Sequence, residues 1–318
     1  MYLAGNESFL MSARMEASVL PCVWVVVLNY NRAQMTLNCV DSVLRIDYPN
    51  FRVMVVDNAS TDDSLIRFKE AFTDPRVELL VNDKNQGYAG GNNLGMAKAL
   101  AAGADYIFIL NNDTIVEPGC LTPLVEAMER DAVLGIVGCP LFGSGPHPSI
   151  NWRMRFNLFT GADAELGDGA QMSAPHEVEL VMGAAMLVRA GAIKRIGMFD
   201  DRFLLFYEDA DLCFRAREAG YKIGFVPSAG VRHLAGQTTA RFRPVGVFCW
   251  TRNRAWFVRR HGSMKHRIVF NLYSFGYWYP RRILGRLVRG EFNLLVPVFR
   301  GMWEGHFAYP GPYPRNPL

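Results

Sequence analysis

The stretch FYEDADLCFRAREAGYKIGFVPSAGVRH, Phe206 to His233, sets Glu208, Asp209 and Asp211 within four positions, behind two aromatic residues and ahead of a lone histidine. A helix is expected from about Glu208 to Ala219, stopped by Gly220. On a helix, side chains two apart diverge, so Asp209 and Asp211 cannot share one task. Acidic residues in a first turn meet the positive end of the helix dipole, which would by itself explain Glu208 and Asp209. The chemical reading is different. Phe206 and Tyr207 lower the local polarity, and a carboxyl group in such surroundings is raised toward the range of a general base. His233 reads either as a structurally satisfied imidazole or as a metal ligand.

Other polar residues stand at the ends of apolar runs. Asp113 in NNDT follows DYIFIL, where a carboxylate suits a hard divalent cation or simply forms a turn. Asp57 in DNASTDDS ends FRVMVV, where it could accept hydrogen bonds from a ribose or a base edge; Thr61 or Asp62 is better placed to cap the next helix. NQGYAGGNN is neither G-x-G-x-x-G nor a Walker loop, but its glycines would permit close backbone approach to a ligand, or only a turn.

The elements that must position these residues alternate. VWVVVLNY is β-branched and continuously apolar, as a strand buried on both faces should be. A helix near Met35 to Arg45 follows, then strand FRVMVVDNAS, helix TDDSLIRFKEAF, strand RVELLVND, a glycine-rich loop leading into a helix, strand DYIFILNNDTIV, helix CLTPLVEAMERD and strand LGIVGCPLF. Strands separated by helices of about 10 to 15 residues predict an α/β fold, a parallel sheet covered on both faces, with ligands at the carboxyl ends of the strands. NYNR, DNAS and NNDT all fall there. Residues 143 to 178, rich in Gly, Pro, Ser and Asp, predict a long irregular insertion. ELVMGAAMLVRAGAIKRIG returns to a strand and a helix, and YKIGFVPSAGVRH supplies two short strands.

The 318 residues are half apolar and one fifth charged, which excludes wholesale disorder. Six scattered cysteines form no C-x-x-C pair and read as reduced thiols of a cytosolic protein. No run reaches the roughly 18 apolar residues of a membrane-spanning helix. The nearest, Val19 to Leu28, could imitate a signal-peptide core, but NYNR follows with no cleavage site, so a buried first strand is expected. Residues 1–20 predict a flexible tail, within which Met11 and Met15 offer alternative starts. Charge is segregated. The last 78 residues hold 14 of the 34 Lys+Arg and only 2 of the 30 Asp+Glu, so 21–240 is expected to form one domain and 241–318 a basic, aromatic, helical extension.

In this order, VVLNYNR, VVDNASTDDS, NQGYAGGNN, LNNDT, GAAMLVRA, FYEDADLCFRAREAGYKIGFVP and RH resemble the inverting family-2 glycosyltransferases of the GT-A fold, in their bacterial rhamnosyltransferase-like branch. The resemblance covers roughly Val23 to His261. It implies a mostly parallel, Rossmann-like sheet. It assigns Asn29, Tyr30, Arg32 and Asp57 to a nucleotide cradle, Asn92 to a nucleotide-sugar contact, and Asn111, Asn112 and Asp113 to the place of the family's D-x-D motif. Asp113 is the metal carboxylate; Asn111 replaces the first Asp and leaves one carboxylate fewer. Asp209 matches the catalytic base, with Glu208 beside it to orient base or acceptor, and His233 matches a histidine that completes metal coordination. Arg252 and Arg254, in TRNR, resemble an element near the active site and are candidates for diphosphate or acceptor contacts.

The implied reaction uses Mg2+ or Mn2+ and a dTDP-, UDP- or GDP-linked sugar, with dTDP-L-rhamnose the expected donor. Asp209 removes a proton from an acceptor hydroxyl as it attacks the anomeric carbon in one inverting displacement. The acceptor implied is a glycan, commonly linked to polyprenyl diphosphate. A non-catalytic sugar-nucleotide or glycan-binding module on the same fold is the alternative; a nucleotidyltransferase would need a basic glycine-rich loop after the first strand. For the arginine-rich extension three readings compete: nucleic-acid binding, for which no recognition motif exists; a plain helical appendage; and amphipathic helices on the cytoplasmic face of the plasma membrane, which is favoured. The sequence leaves a homodimer open.

Overall fold

The computed structural model describes residues 20–143, 150–151, 153–165, 174–234 and 243–311. The expected tail up to residue 19, and residues 144–149, 152 and 166–173 of the expected irregular insertion, lie outside them; the described remainder of that insertion includes short strands. In chain order the first elements are β1 (Val23–Asn29), α1 (Ala33–Leu44), β2 (Phe51–Asp57), α2 (Ser64–Ala71), β3 (Val77–Val81), α3 (Gly87–Ala101), β4 (Tyr106–Asn111), β5 (Thr114–Val116), α4 (Leu121–Arg130), β6 (Leu134–Gly138) and β7 (Leu141–Gly143). Then come β8 (Ile150–Asn151), β9 (Arg153–Asn157), β10 (Ala162–Glu165), β11 (His176–Val178), β12 (Ala185–Arg189), α5 (Ala190–Ile196), α6 (Glu208–Glu218), β13 (Lys222–Phe225) and β14 (Val231–His233). Four further helices are α7 (Arg243–His261), α8 (Met264–Tyr273), α9 (Tyr279–Val288) and α10 (Leu295–Phe307), with a π-helical turn at Ser274–Trp278 between α8 and α9.

The main sheet has the order β11-β13-β6-β12-β4-β1-β2-β3. The pairs β1–β2, β1–β4, β2–β3 and β6–β13 are parallel, as expected; β12 runs antiparallel between β4 and β6, and β11 antiparallel to β13. Because β12 re-enters after the β7–β11 excursion and not after a crossover helix, nothing obliges it to run parallel. Strand alternation divides the core. Val23, Val25 and Val27 join Cys39, Val40 and Val43 of α1 and Leu121, Leu124 and Val125 of α4, whereas Trp24 and Val26 join Met96 of α3, Ile193 of α5 and Leu212 of α6.

Three expected elements differ. The predicted single strands DYIFILNNDTIV and LGIVGCPLF each break in two, because β5 and β7 leave the main sheet and join β14 and β8 in a second one, order β5-β14-β7-β8. The predicted glycine-rich loop is helix. A Cβ at Gly91 would lie 2.5 Å from Leu28 Cδ1, and one at Gly95 2.5 Å from Val26 Cγ1, so these glycines let α3 lie directly on β1. The change of charge near residue 241 is not a break in packing: Phe257 of α7 belongs to the core cluster of α3, α5 and α6, its ring 4.4 Å from Phe156 and 4.9 Å from Phe214. None of the six cysteines is bridged.

Candidate active site

The carboxyl ends of β1, β2 and β4 lie side by side, with Asn29 opposite Asp57 and Leu28 opposite Asn111. Buried Asn29 donates from Nδ2 to Asp57 Oδ1 at 2.9 Å and to Ser60 Oγ at 3.0 Å, and its Oδ1 accepts from the Thr36 hydroxyl at 2.7 Å. The Ser60 N–H donates to Asp57 Oδ2 at 3.0 Å, and Asn112 Nδ2 donates to Thr36 Oγ1 at 3.0 Å. Asn29, Asp57 and Asn112 therefore belong to one network at the strand tips. Tyr30 and Arg32 sit half-buried in the turn from β1 into α1, with Arg32 just before its first residue. Asp62 accepts from the Ser64 N–H at 3.0 Å where α2 begins, but Asp63, and neither Thr61 nor Asp62, occupies the N-cap position.

Asp113 stands in the turn where the chain leaves β4 for β5. The pairing of β5 with β14 sets Thr114 opposite His233, and His233 Nε2 comes to 3.1 Å from Asp113 Oδ1. Their side chains are 14% and 9% exposed. His233 Nδ1 and Asn111 Oδ1 are buried with no hydrogen-bond partner. Among the described residues no group of three or more His, Cys, Asp or Glu side chains could hold a metal. A carboxylate oxygen facing an imidazole nitrogen nevertheless fits a hard cation that takes most of its shell from substrate phosphates and water.

Glu208 and Asp209 open α6. The Gly183 N–H donates to Asp209 Oδ2 at 2.9 Å, the Ala210 N–H donates to its Oδ1 at 2.8 Å, and the Gly183 carbonyl accepts from the Tyr88 hydroxyl at 2.8 Å. A Cβ at residue 183 would lie 3.1 Å from that hydroxyl and 3.2 Å from Asp209 Cβ, a crowding that glycine relieves. The Tyr88 phenol is pushed well above its ordinary range, first by burial and then by the charges of Glu208, Asp209 and Asp113. Glu208 is also pushed well above the usual carboxylate range, by burial and then by Asp209, and its Oε2 has no partner. Asn92 is buried on α3, donates to the Tyr88 carbonyl at 2.9 Å, and leaves its Oδ1 unpaired.

The turn before α6 is strained: Leu204, Phe206 and Tyr207 have φ of 65°, 68° and 73°. Buried Asn253 holds it, donating from Nδ2 to the carbonyls of Phe203, Leu205 and Phe206 at 2.8, 2.8 and 2.9 Å. Arg252 adds hydrogen bonds to the carbonyls of Arg202 and Phe203 at 2.9 and 3.1 Å, and its guanidinium lies 4.1 Å from the Trp256 ring centre. Arg254 donates to Ser274 and to the Thr160 carbonyl, and lies 4.1 Å from the Trp278 ring. Both arginines, candidates for diphosphate or acceptor contacts, are held in place by these protein groups. Asp211 faces the other way, meeting Arg215 at 2.7 Å, Arg260 at 2.8 Å and His261 at 3.0 Å; these charges hold it low against its burial. Tyr88, Gly183 and Asn253 were not singled out from the sequence. All three do lie inside quoted motifs, but only the fold gives them roles.

A doubly covered, mostly parallel sheet with acidic strand-end turns gathered at its carboxyl edge defines a glycosyltransferase of the GT-A fold. The chain matches the Glycosyl transferase family 2 profile over residues 24–197, more than half its length, and belongs to that family. It is 30% identical over 213 residues to the N-acetylglucosaminyl-diphospho-decaprenol L-rhamnosyltransferase of Mycobacterium tuberculosis, covering 59% of this chain and 68% of that protein. Identity to the dTDP-rhamnosyl transferase RfbF of Shigella flexneri is 20% over 233 residues, covering 71% and 73%. The structure of S. aureus TarS 1–349 in complex with UDP-GlcNAc superposes with a TM-score of 0.62 at 14% identity, covering 91% of this chain and 82% of that one.

Proposed function

We propose that the chain transfers L-rhamnose from dTDP-L-rhamnose to a hydroxyl of a lipid-linked glycan acceptor, inverting the anomeric configuration. The carrying observation is that Gly183 and Ala184 tie the two acidic motifs together: the Gly183 N–H donates to Asp209 Oδ2 at 2.9 Å, and the Ala184 carbonyl accepts from the N–H of Asn111, two residues before Asp113, at 3.0 Å. That arrangement supports a leaving-group site and a base at one edge. Asp209, fixed by two backbone N–H groups, takes the acceptor proton. The freed oxygen bonds to the anomeric carbon, and the bond from that carbon to the diphosphate breaks, releasing a nucleoside diphosphate. Asn29, Asp57 and Asn112 orient the nucleotide end, with Tyr30, Arg32, Asn92 and Asn111 around it. Asp113 and His233 would hold Mg2+ or Mn2+, which when bound neutralises the diphosphate.

The names of the Mycobacterium and Shigella relatives support rhamnose, and the first supports a lipid-diphosphate acceptor. No helix among the described residues is long and apolar enough to cross a membrane. The proposed station is peripheral, on the cytoplasmic face. Asp209→Asn should lower transfer by about 10² to 10⁴-fold, the usual contribution of a placed base, while leaving donor affinity within a few-fold. Turnover of dTDP-rhamnose by that variant at the normal rate would refute the assignment.

A further inference from the structure

A cavity of about 490 Å³ opens beside the strained turn. It is lined by Phe206, Trp250, Trp278, Arg243, Arg282 and Arg286, among other residues. From its position, charge and lining we infer that it binds the diphosphate of the acceptor together with the first part of an attached apolar chain. The inference rests on the transferase reading above and names the part of that site which takes the acceptor.

The charge is in excess. Glu291 meets Arg243 at 2.6 Å, Arg286 at 3.1 Å and Arg289 at 3.6 Å, so one carboxylate faces three guanidinium groups. Arg282 adds a fourth cation, lying 5.5 Å from the Trp250 ring centre and 5.1 Å from that of Trp278. The Arg286 side chain is only 9% exposed, and its Nε is buried without a hydrogen-bond partner. A buried, unsatisfied guanidinium donor costs free energy that an anionic oxygen would recover. The planar forks of several arginines match the paired oxygens of a diphosphate.

The location separates this anion from the donor's. The donor diphosphate belongs with Asp113 and His233 at the β4 end. This cavity instead has Phe206 in its wall, two residues before Glu208, and Trp250 packs 6.5 Å from the rings of both Phe206 and Tyr207. Phe206 thus joins the cavity wall to the turn that presents Asp209. The remaining wall is apolar, with Val247 and Val298, and α9, which carries Arg282 and Arg286, also exposes Leu284, Leu287 and Val288. A phosphate ester with a hydrocarbon tail satisfies both kinds of surface, which a sugar nucleotide does not.

Farnesyl diphosphate, pyrophosphate, farnesol and dTDP are the probes, titrated into the whole chain with tryptophan fluorescence and calorimetry as readouts. Farnesyl diphosphate should bind and perturb the tryptophan signal, more tightly than pyrophosphate or farnesol, and dTDP should not displace it. Arg282→Ala should weaken it by about tenfold to a hundredfold, the loss of one charge-assisted contact, and Arg282→Lys should fall between. Arg282→Gln replaces Arg282→Ala if the latter melts early. Absence of binding, unchanged affinity in these variants, or displacement by dTDP would each overturn the assignment. If transfer is demonstrated but the probe ignores Arg282, the acceptor subsite fails and the transferase stands. If the probe depends on Arg282 but no sugar is transferred, the transferase fails and the diphosphate site stands.

Discussion

Glu208 and Asp209 are neighbours in sequence with opposite surroundings. Asp209 is gripped by two backbone N–H groups, whereas Glu208 is buried with one oxygen unpartnered. Burial, and then the Asp209 charge, raises Glu208 well above its ordinary value of 4.5. A carboxyl group raised by folding favours the folded state fully below its unfolded pKa and loses that contribution as pH climbs through the folded one. Glu208→Gln cannot ionise and escapes the loss. Its melting temperature should match the parent near pH 4 and exceed it increasingly toward pH 8. A constant difference across that range would show that Glu208 is not held neutral. The same contrast explains why one residue of the pair suits a base and the other a buried support.

At the scale of elements, the turn 204–207 and α7 act together. Three left-handed, non-glycine residues cost of order 1–3 kcal/mol each and persist only when the surroundings hold them. Here the Asn253 amide does so, through three carbonyls. Asn253→Ala should let the turn relax and displace Asp209. The expected result is a kcat at least about tenfold lower with donor KM within about twofold, since a displacement near 1 Å can cost about 10²-fold. Equal loss in both constants would make Asn253 merely structural. The sequence displayed the outer parts of this arrangement. Apolar runs placed β1, β2 and β4, and their polar ends placed Asn29, Asp57 and Asp113 at one edge. It did not display Asn253 across 44 residues from Asp209, or the Tyr88 hydroxyl on the Gly183 carbonyl, because such contacts follow from long-range packing that no local period encodes. The glycines of NQGYAGGNN misled for the same reason. Glycine at a helix–strand contact and glycine in a loop look alike until the partner strand is known.

Across the whole molecule, the acidic catalytic edge and the basic helices form two faces of one packed body. Gly301 and Gly305 of α10 sit against α7, where a Cβ would lie 2.8 Å from Thr251 Cβ or 3.0 Å from the Arg252 carbonyl. That close contact fixes the rotation of α10 and leaves Val296, Phe299, Trp303 and Phe307 exposed at helical spacing. On α8, Met264, Ile268 and Leu272 form a similar exposed stripe. Apolar stripes beside a concentration of arginine suit the interface of an anionic bilayer, where each basic residue near the surface contributes about 1 kcal/mol and each large apolar side chain about 1.5–3 kcal/mol on burial. The full chain should therefore float with vesicles containing phosphatidylglycerol and much less with pure phosphatidylcholine, and the difference should shrink as salt is raised from about 0.1 to 1 M. Leu272→Glu combined with Trp303→Glu removes two apolar anchors and adds repulsion, so flotation should fall by at least about a hundredfold. Transfer to a soluble acceptor should be preserved, since neither residue lines the cavity or the carboxylate cluster. Undiminished flotation of the double variant, or equal binding to neutral vesicles, would assign the exposed stripes to something other than a membrane surface.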